Sequence, residues 1–105
     1  MILTLQEDGV LRIYASVAKA VLDVEALDAE VTFRAIFDDT GQRYTIQWIR
    51  PNQFGKFTAG NGDYALVPDG ADNDGLLRII REARFVEPGE LEPEMRNLER
   101  RLTGR

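Results

Sequence analysis

The sequence predicts an α+β fold, with an antiparallel sheet of two or three hairpins, a short helix after the second strand and two C-terminal helices packed on one face. Three observations lead there. Apolar and polar residues alternate through the first half, as in half-buried strands. Turn residues punctuate those runs at Glu7-Asp8-Gly9, Asp38-Asp39-Thr40-Gly41-Gln42 and Asn61-Gly62. In the last third the apolar spacing changes to three and four, the helical period. A chain of 105 residues is one domain, 1–105, large enough for a core without covalent staples.

Each element has its own signal. Residues 2–6 alternate, and residues 10–15 form the second strand of a first hairpin, with Gly9 free to take positive φ in the turn. Ser16 is placed to cap a helix, since its hydroxyl can accept from an otherwise unpaired N–H. Val17, Ala20, Val21, Val24 and Leu27 then recur at helical spacing, which predicts a helix over 17–25. Residues 31–37 and 43–49 read as a second hairpin. Val31, Phe33, Ala35 and Phe37 share one face of the first strand, and Tyr44, Ile46 and Trp48 one face of the second. Gly41 suits the left-handed position of the turn between them. Arg50-Pro51 ends that strand. Asn61-Gly62 is a strong turn dipeptide and predicts a third hairpin joining 56–59 to 63–67, closed by Pro68-Asp69-Gly70. Asp72-Asn73-Asp74 supply acidic caps for a helix carrying Leu76, Leu77, Ile79, Ile80 and Ala83, with Arg81 and Arg84 near its C-terminal end. Pro88-Gly89 stops that segment. Leu91, Met95, Leu98 and Leu102 stripe a last helix over 92–102, with Pro93 in its first turn and 91–105 as the peripheral part of the domain.

Composition removes several function classes. There is no cysteine and no histidine. A disulfide framework, a thiolate nucleophile, a sulfur-bound zinc or iron site, an imidazole base and a Ser-His-Asp triad are all excluded. The chain has 13 basic and 18 acidic side chains, for a net charge of −5. Residues 1–75 carry 6 of the basic and 12 of the acidic groups. An acidic domain of this kind argues against nucleic-acid binding and favours encounter with a basic protein. The start Met1-Ile2-Leu3-Thr4-Leu5 lacks a positive flank and is cut short by Gln6-Glu7-Asp8. This predicts no targeting segment, no membrane association and a cytoplasmic location.

Five clusters are candidates for chemistry. The loop 69–75 has the oxygen density of a calcium loop. With Gly75 as its sixth position, however, the first falls on Gly70 and the twelfth on Arg81, where an acid is needed. Asp38, Asp39, Asp63 and Asp69 sit at predicted turns, where local hydrogen bonding alone explains them, although paired carboxylates can serve as acid and base or hold a metal. Gly60-Asn61-Gly62 is too short for a phosphate loop and precedes a strand. The loop 51–57 sets Phe54 and Phe57 around Gly55-Lys56, and exposed aromatics in a polar loop anchor partners. The stripe Leu91, Met95, Leu98 and Leu102 spans only about two heptads, so it packs on the parent sheet or supports a weak homodimer.

One stretch carries a resemblance. Val10-Leu11-Arg12-Ile13-Tyr14-Ala15-Ser16-Val17, then Leu22-Asp23-Val24-Glu25, then Phe37-Asp38-Asp39-Thr40-Gly41-Gln42-Arg43-Tyr44 resembles an arrangement in small bacterial proteins. There a strand ending in Tyr and Ser leads into a short helix, and the next hairpin has a Phe-Asp-x-x-Gly turn. The resemblance covers about residues 10–49 and rests on a cap and a turn. It implies kinship with immunity-type partners of bacterial toxins and transfers no catalytic or binding residue.

The expectation is therefore a non-enzymatic bacterial protein-binding module, monomeric or weakly dimeric, with no cofactor and no metal. An immunity or inhibitor protein with an acidic surface toward a basic protein is its concrete form. Phe54, Lys56, Phe57, Asp38 and Asp39 are the expected partner-binding residues. The alternatives are a small carboxylate-based or metal-dependent enzyme, and a structural protein that self-associates through its C-terminal helix.

Overall fold

The computed structural model describes residues 1–54 and 59–104. It is an α+β fold whose six-stranded mixed sheet runs β7-β4-β3-β1-β2-β8. The strands are β1 (Ile2–Gln6), β2 (Val10–Tyr14), β3 (Phe33–Asp38), β4 (Gln42–Arg50), β7 (Asp63–Ala71) and β8 (Phe85–Glu87). A two-stranded ladder of β5 (Gln53–Phe54) and β6 (Ala59–Gly60) extends the tip of the β4–β7 pair. The helices are α1 (Val17–Asp23), α2 (Ala29–Thr32), α3 (Asn73–Glu82) and α4 (Glu92–Thr103). No helix among the described residues is long and apolar enough to cross a membrane.

β1 sits at the centre and is buried on both faces throughout. Its alternation therefore feeds two cores. Leu3 and Leu5 enter one, with Leu11, Ile13 and Phe37 of the sheet, Leu76, Ile79 and Ile80 of α3, and Met95 and Leu98 of α4. Ile2 enters the other, with Ala20 and Val24 near α1, Ala29 of α2, Phe33, Ile36, Tyr64 and Leu66. The two C-terminal helices thus share one face of the sheet, and α1 and α2 cover the opposite one. The caps act as their residue types require. Ser16 Oγ accepts from the Lys19 N–H at 3.2 Å, and Asp72 Oδ1 accepts from the Gly75 N–H at 2.8 Å.

Several boundaries differ from the sequence-based expectation, each for a physical reason. Val31 belongs to α2 and is exposed, because 28–32 closes one helical turn before the chain extends. Phe33 does not share a face with Ala35 and Phe37. The β1–β3 register shifts between Leu5 and Gln6, so Arg34 is an extra residue that turns Phe33 to the other core. The helix expected over 17–25 ends at Asp23. Residues 63–67 pair with β4; of their expected partners, Ala59 pairs with Phe54 and 56–58 lie outside the described residues. Pro68-Asp69-Gly70 does not close the strand, since β7 continues to Ala71 past a bulge. As the edge strand of the sheet, β7 can hold a proline without losing a ladder bond. β8 was not expected. Its parallel pairing with β2 (Leu11↔Val86) makes the sheet mixed.

Gly75 shows how tightly α3 is drawn onto this sheet. A Cβ there would lie 2.8 Å from Phe37 Cζ and closer still to the Asp72 carboxylate that caps the helix. In an open helix Gly→Ala gains about 1 kcal/mol from backbone propensity. At this position overpacking reverses the sign. Gly75→Ala is expected to destabilise the fold by about 1–3 kcal/mol, read as a lower urea midpoint with an unchanged slope.

Candidate functional site

The sheet is not closed along its length. β3 is fully engaged with β1, and β4 is engaged with β7 from Gln42↔Ala71 to Arg50↔Asp63. Between β3 and β4 the register holds a single rung, Phe37↔Arg43, beside the turn. That turn is held firmly. Asp38 Oδ1 accepts from the Thr40 N–H at 2.9 Å, the Thr40 hydroxyl at 2.6 Å and the Gln42 N–H at 3.1 Å, and the Tyr44 hydroxyl donates to Asp38 Oδ2 at 3.4 Å. Gly41 completes it at φ +93°. Beyond the rung no further ladder pair forms, and a cavity flanks the β3–β4 junction on each face of the sheet. On the α1–α2 face the cavity holds about 240 Å³ and is lined by Glu30, Phe33, Arg34, Ile36, Tyr44 and Ile46. On the α3 face it holds about 470 Å³ and is bordered by Arg34, Arg43, Asp69, Asp72 and Arg78.

A second concave surface lies at the far end of β4. Leu27, Glu30, Val31, Trp48, Pro51 and Phe54 line a groove of about 440 Å³. Phe54 is 76% exposed and Val31 67% exposed. Trp48 is half-buried against Tyr64 and fixed by its indole N–H, which donates to Glu30 Oε1 at 2.9 Å. Asn52 ties the strand connection down: its side-chain N–H donates to the Ala26 carbonyl and its oxygen accepts from the Gly62 N–H, both at 2.8 Å.

The richest polar cluster is on β1 and β2. Buried Gln6 donates through Nε2 to Thr4 Oγ1 and to the Tyr14 hydroxyl, and accepts from Arg12 at 3.0 Å. Arg12 also pairs with Asp8 at 2.9 Å and Glu87 at 3.1 Å, and the Tyr14 hydroxyl donates to Asp23. Burial, reinforced by that bond to Asp23, pushes the Tyr14 phenol up to about 12. Tyr14 therefore stays protonated and donates inward. No buried side-chain polar atom among the described residues lacks a partner. The cluster satisfies its own buried groups, and Arg12, Tyr14, Asp23 and Glu87 border a cavity of about 450 Å³.

The expected site residues that lie among the described residues do not converge. Asp38 and Asp39 sit at the β3–β4 turn, Asp38 organising it and Asp39 accepting from the N-terminal ammonium at 3.2 Å. Phe54 lies past the other end of β4, a nine-residue strand that spans about 30 Å. Lys56 and Phe57 lie outside the described residues. The turn aspartates are likewise dispersed: Asp63 pairs with Arg50, Asp69 with Arg43, and Asp72 caps α3. No group of three Asp or Glu placed to hold a metal occurs among the described residues. Sequence reasoning missed Val31, Glu30, Arg34 and Arg78. The signal for Arg34 was present: Phe33-Arg34-Ala35-Ile36-Phe37 breaks the two-residue period, as a bulge does. Comparison with family models, with curated proteins and with solved structures finds no match.

Asp38 links the turn to pH. Partial burial opposes its ionisation, but the hydrogen bonds from Thr40, Gln42 and Tyr44 outweigh that and hold its pKa below the ordinary 3.8. A depressed folded value stabilises fully above 3.8, and that contribution is lost as pH falls through the folded value. Asp38→Asn keeps an acceptor for Thr40 and Gln42 but does not titrate. Between about pH 7 and about pH 3 the variant is expected to lose less unfolding free energy than the parent, measured by urea titration at each pH.

Proposed function

We propose that the protein is a non-enzymatic protein-binding module that receives a basic partner on the α1–α2 face. The observation that carries this is the pairing of an apolar groove with unneutralised acid beside it. Asp23, Glu25, Asp28 and Glu30 are all exposed, and no Lys or Arg occurs between residues 20 and 33. Among the described residues none of the four forms an ion pair. Phe54 and Val31 supply the apolar anchors that interfaces bury at their centre, and the carboxylates supply the charged rim that speeds encounter. An immunity or inhibitor role toward a basic toxin is the concrete form of this proposal. It agrees with the acidic balance of residues 1–75 and with the resemblance over 10–49.

The test is retention of host proteins on the immobilised full chain. A specific partner should be held at about 50 mM salt and released at about 500 mM, where surface charges are screened within a few ångströms. Two variants should weaken retention at least about tenfold: Phe54→Ser, and the double reversal Asp28→Lys with Glu30→Lys. Equal retention by the parent and both variants would overturn the proposal, as would the absence of any retained protein at low salt.

A further inference from the structure

The groove at Phe54 joins two chemistries in one cavity. Leu27, Val31, Trp48 and Phe54 give it apolar walls around a volume of about 440 Å³. That lies within the range of about 300–1,000 Å³ usual for small-ligand pockets. Among the described residues its one charged lining residue is Glu30. Asn52 also borders it, but both ends of that amide are committed, to the Ala26 carbonyl and the Gly62 N–H. A neutral polar ligand therefore finds little to recognise here, and an anion would meet a carboxylate.

Glu30 is held in place and only partly used. Its Oε1 accepts from the Trp48 indole N–H at 2.9 Å, and no Lys or Arg pairs with it among the described residues. An ionised carboxylate has about four acceptor positions, so capacity remains. Trp48 is braced in turn by Tyr64, with ring centroids 5.8 Å apart. Aromatic faces carry partial negative charge and attract cations. A carboxylate beside a tryptophan selects a cation, and apolar walls select one carried on a hydrocarbon stem. An arginine side chain has both parts. Its planar guanidinium stacks on aromatic rings and is more weakly hydrated than the ammonium of lysine, which favours arginine of the two.

We propose that this groove is a socket for a single arginine side chain presented by the basic partner. The guanidinium meets Glu30 and Trp48, and the methylene stem lies along Val31 and Phe54. The socket rests on the binding-module reading above and adds the residue by which that partner is recognised.

The probe is N-acetyl-arginine amide, titrated to about 50 mM at constant ionic strength into the isotope-labelled full chain and followed by NMR. Trp48 is the only tryptophan, so a single indole N–H resonance reports on the groove. It should shift together with the amides of residues 27–31. The neutral isostere N-acetyl-citrulline amide should bind at least about tenfold more weakly, and the lysine analogue more weakly than arginine. Glu30→Gln keeps an acceptor for the indole and should remove the preference for arginine over citrulline. Lys56→Gln should leave the arginine titration unchanged, and dilution of the free protein should not move the indole resonance. The comparison of arginine with citrulline stands on the parent protein even if a variant misfolds. No indole shift with arginine would overturn the proposal, as would equal binding of citrulline or of lysine, or a preference that survives Glu30→Gln. Tighter arginine binding by Lys56→Gln would assign the groove to the chain's own lysine, and a shift on dilution would assign it to a second copy; either overturns the partner arginine. Arginine binding without any retained host protein would sink the binding-module reading alone. Retention that depends on Phe54, with no response to arginine, would sink the socket alone.

Discussion

Burial of β1 on both faces is the constraint from which the rest of this structure follows. Five residues, Ile2–Gln6, must satisfy two cores at once. Leu3 and Leu5 commit one face to α3 and α4, and Ile2 commits the other to the layer of α1 and α2. Thr4 and Gln6 are buried polar residues on that second face, and burying them unpaired would cost about 1–3 kcal/mol each. The Gln6, Tyr14 and Arg12 network exists to meet that cost. Its hydrogen bonds close on one another, from Thr4 through Gln6 to Tyr14 and Arg12.

The same constraint shapes the β3–β4 junction. β3 is held against β1 along its length, and the extra residue at Arg34 adds local twist to β3. β4 is held against β7 over nearly all its length, and Tyr64 and Leu66 of β7 carry that pair into the second core. Tyr64 is fixed there by its hydroxyl, which donates to the Val24 carbonyl at 2.6 Å, and by edge contact with Phe33 at 6.4 Å. Two well-paired ribbons therefore share one ladder rung beside the Asp38 turn and meet again in the second core, where Phe33 packs on Tyr64. The molecule is long, 52 × 26 × 20 Å.

Much of this architecture was legible in the sequence, because local rules and burial agree there. The first hairpin, the Ser16 and Asp72 caps, the Gly41 turn and both C-terminal helices follow from residue type and spacing, and Met95 and Leu98 are buried as their stripe implies. What was not legible depended on long-range pairing. The Asn61-Gly62 dipeptide signals a tight turn, whereas Tyr64 and Leu66 pair with Trp48 and Ile46 of the distant β4 and enter the second core. β8 is only three residues long and has no periodicity to detect, so its place beside β2 is visible only in the fold. The candidate surfaces were legible in part. Phe54 stood out as an aromatic in a polar loop, but its neighbours Val31 and Trp48 come from separate elements that only tertiary structure brings together.

The sheet keeps the acidic stretch and the Arg78 cation apart. The acidic stretch Asp23–Glu30 belongs to the helical layer on one face, and Arg78 belongs to α3 on the other. Packed layers lie about 10 Å apart, which matches the Debye length of about 10 Å at 0.1 M salt. The net charge of −5 governs approach from a distance at low ionic strength. At physiological salt each face is felt mainly by what touches it. A basic surface therefore meets Asp28 and Glu30 without competing with Arg78 across the sheet.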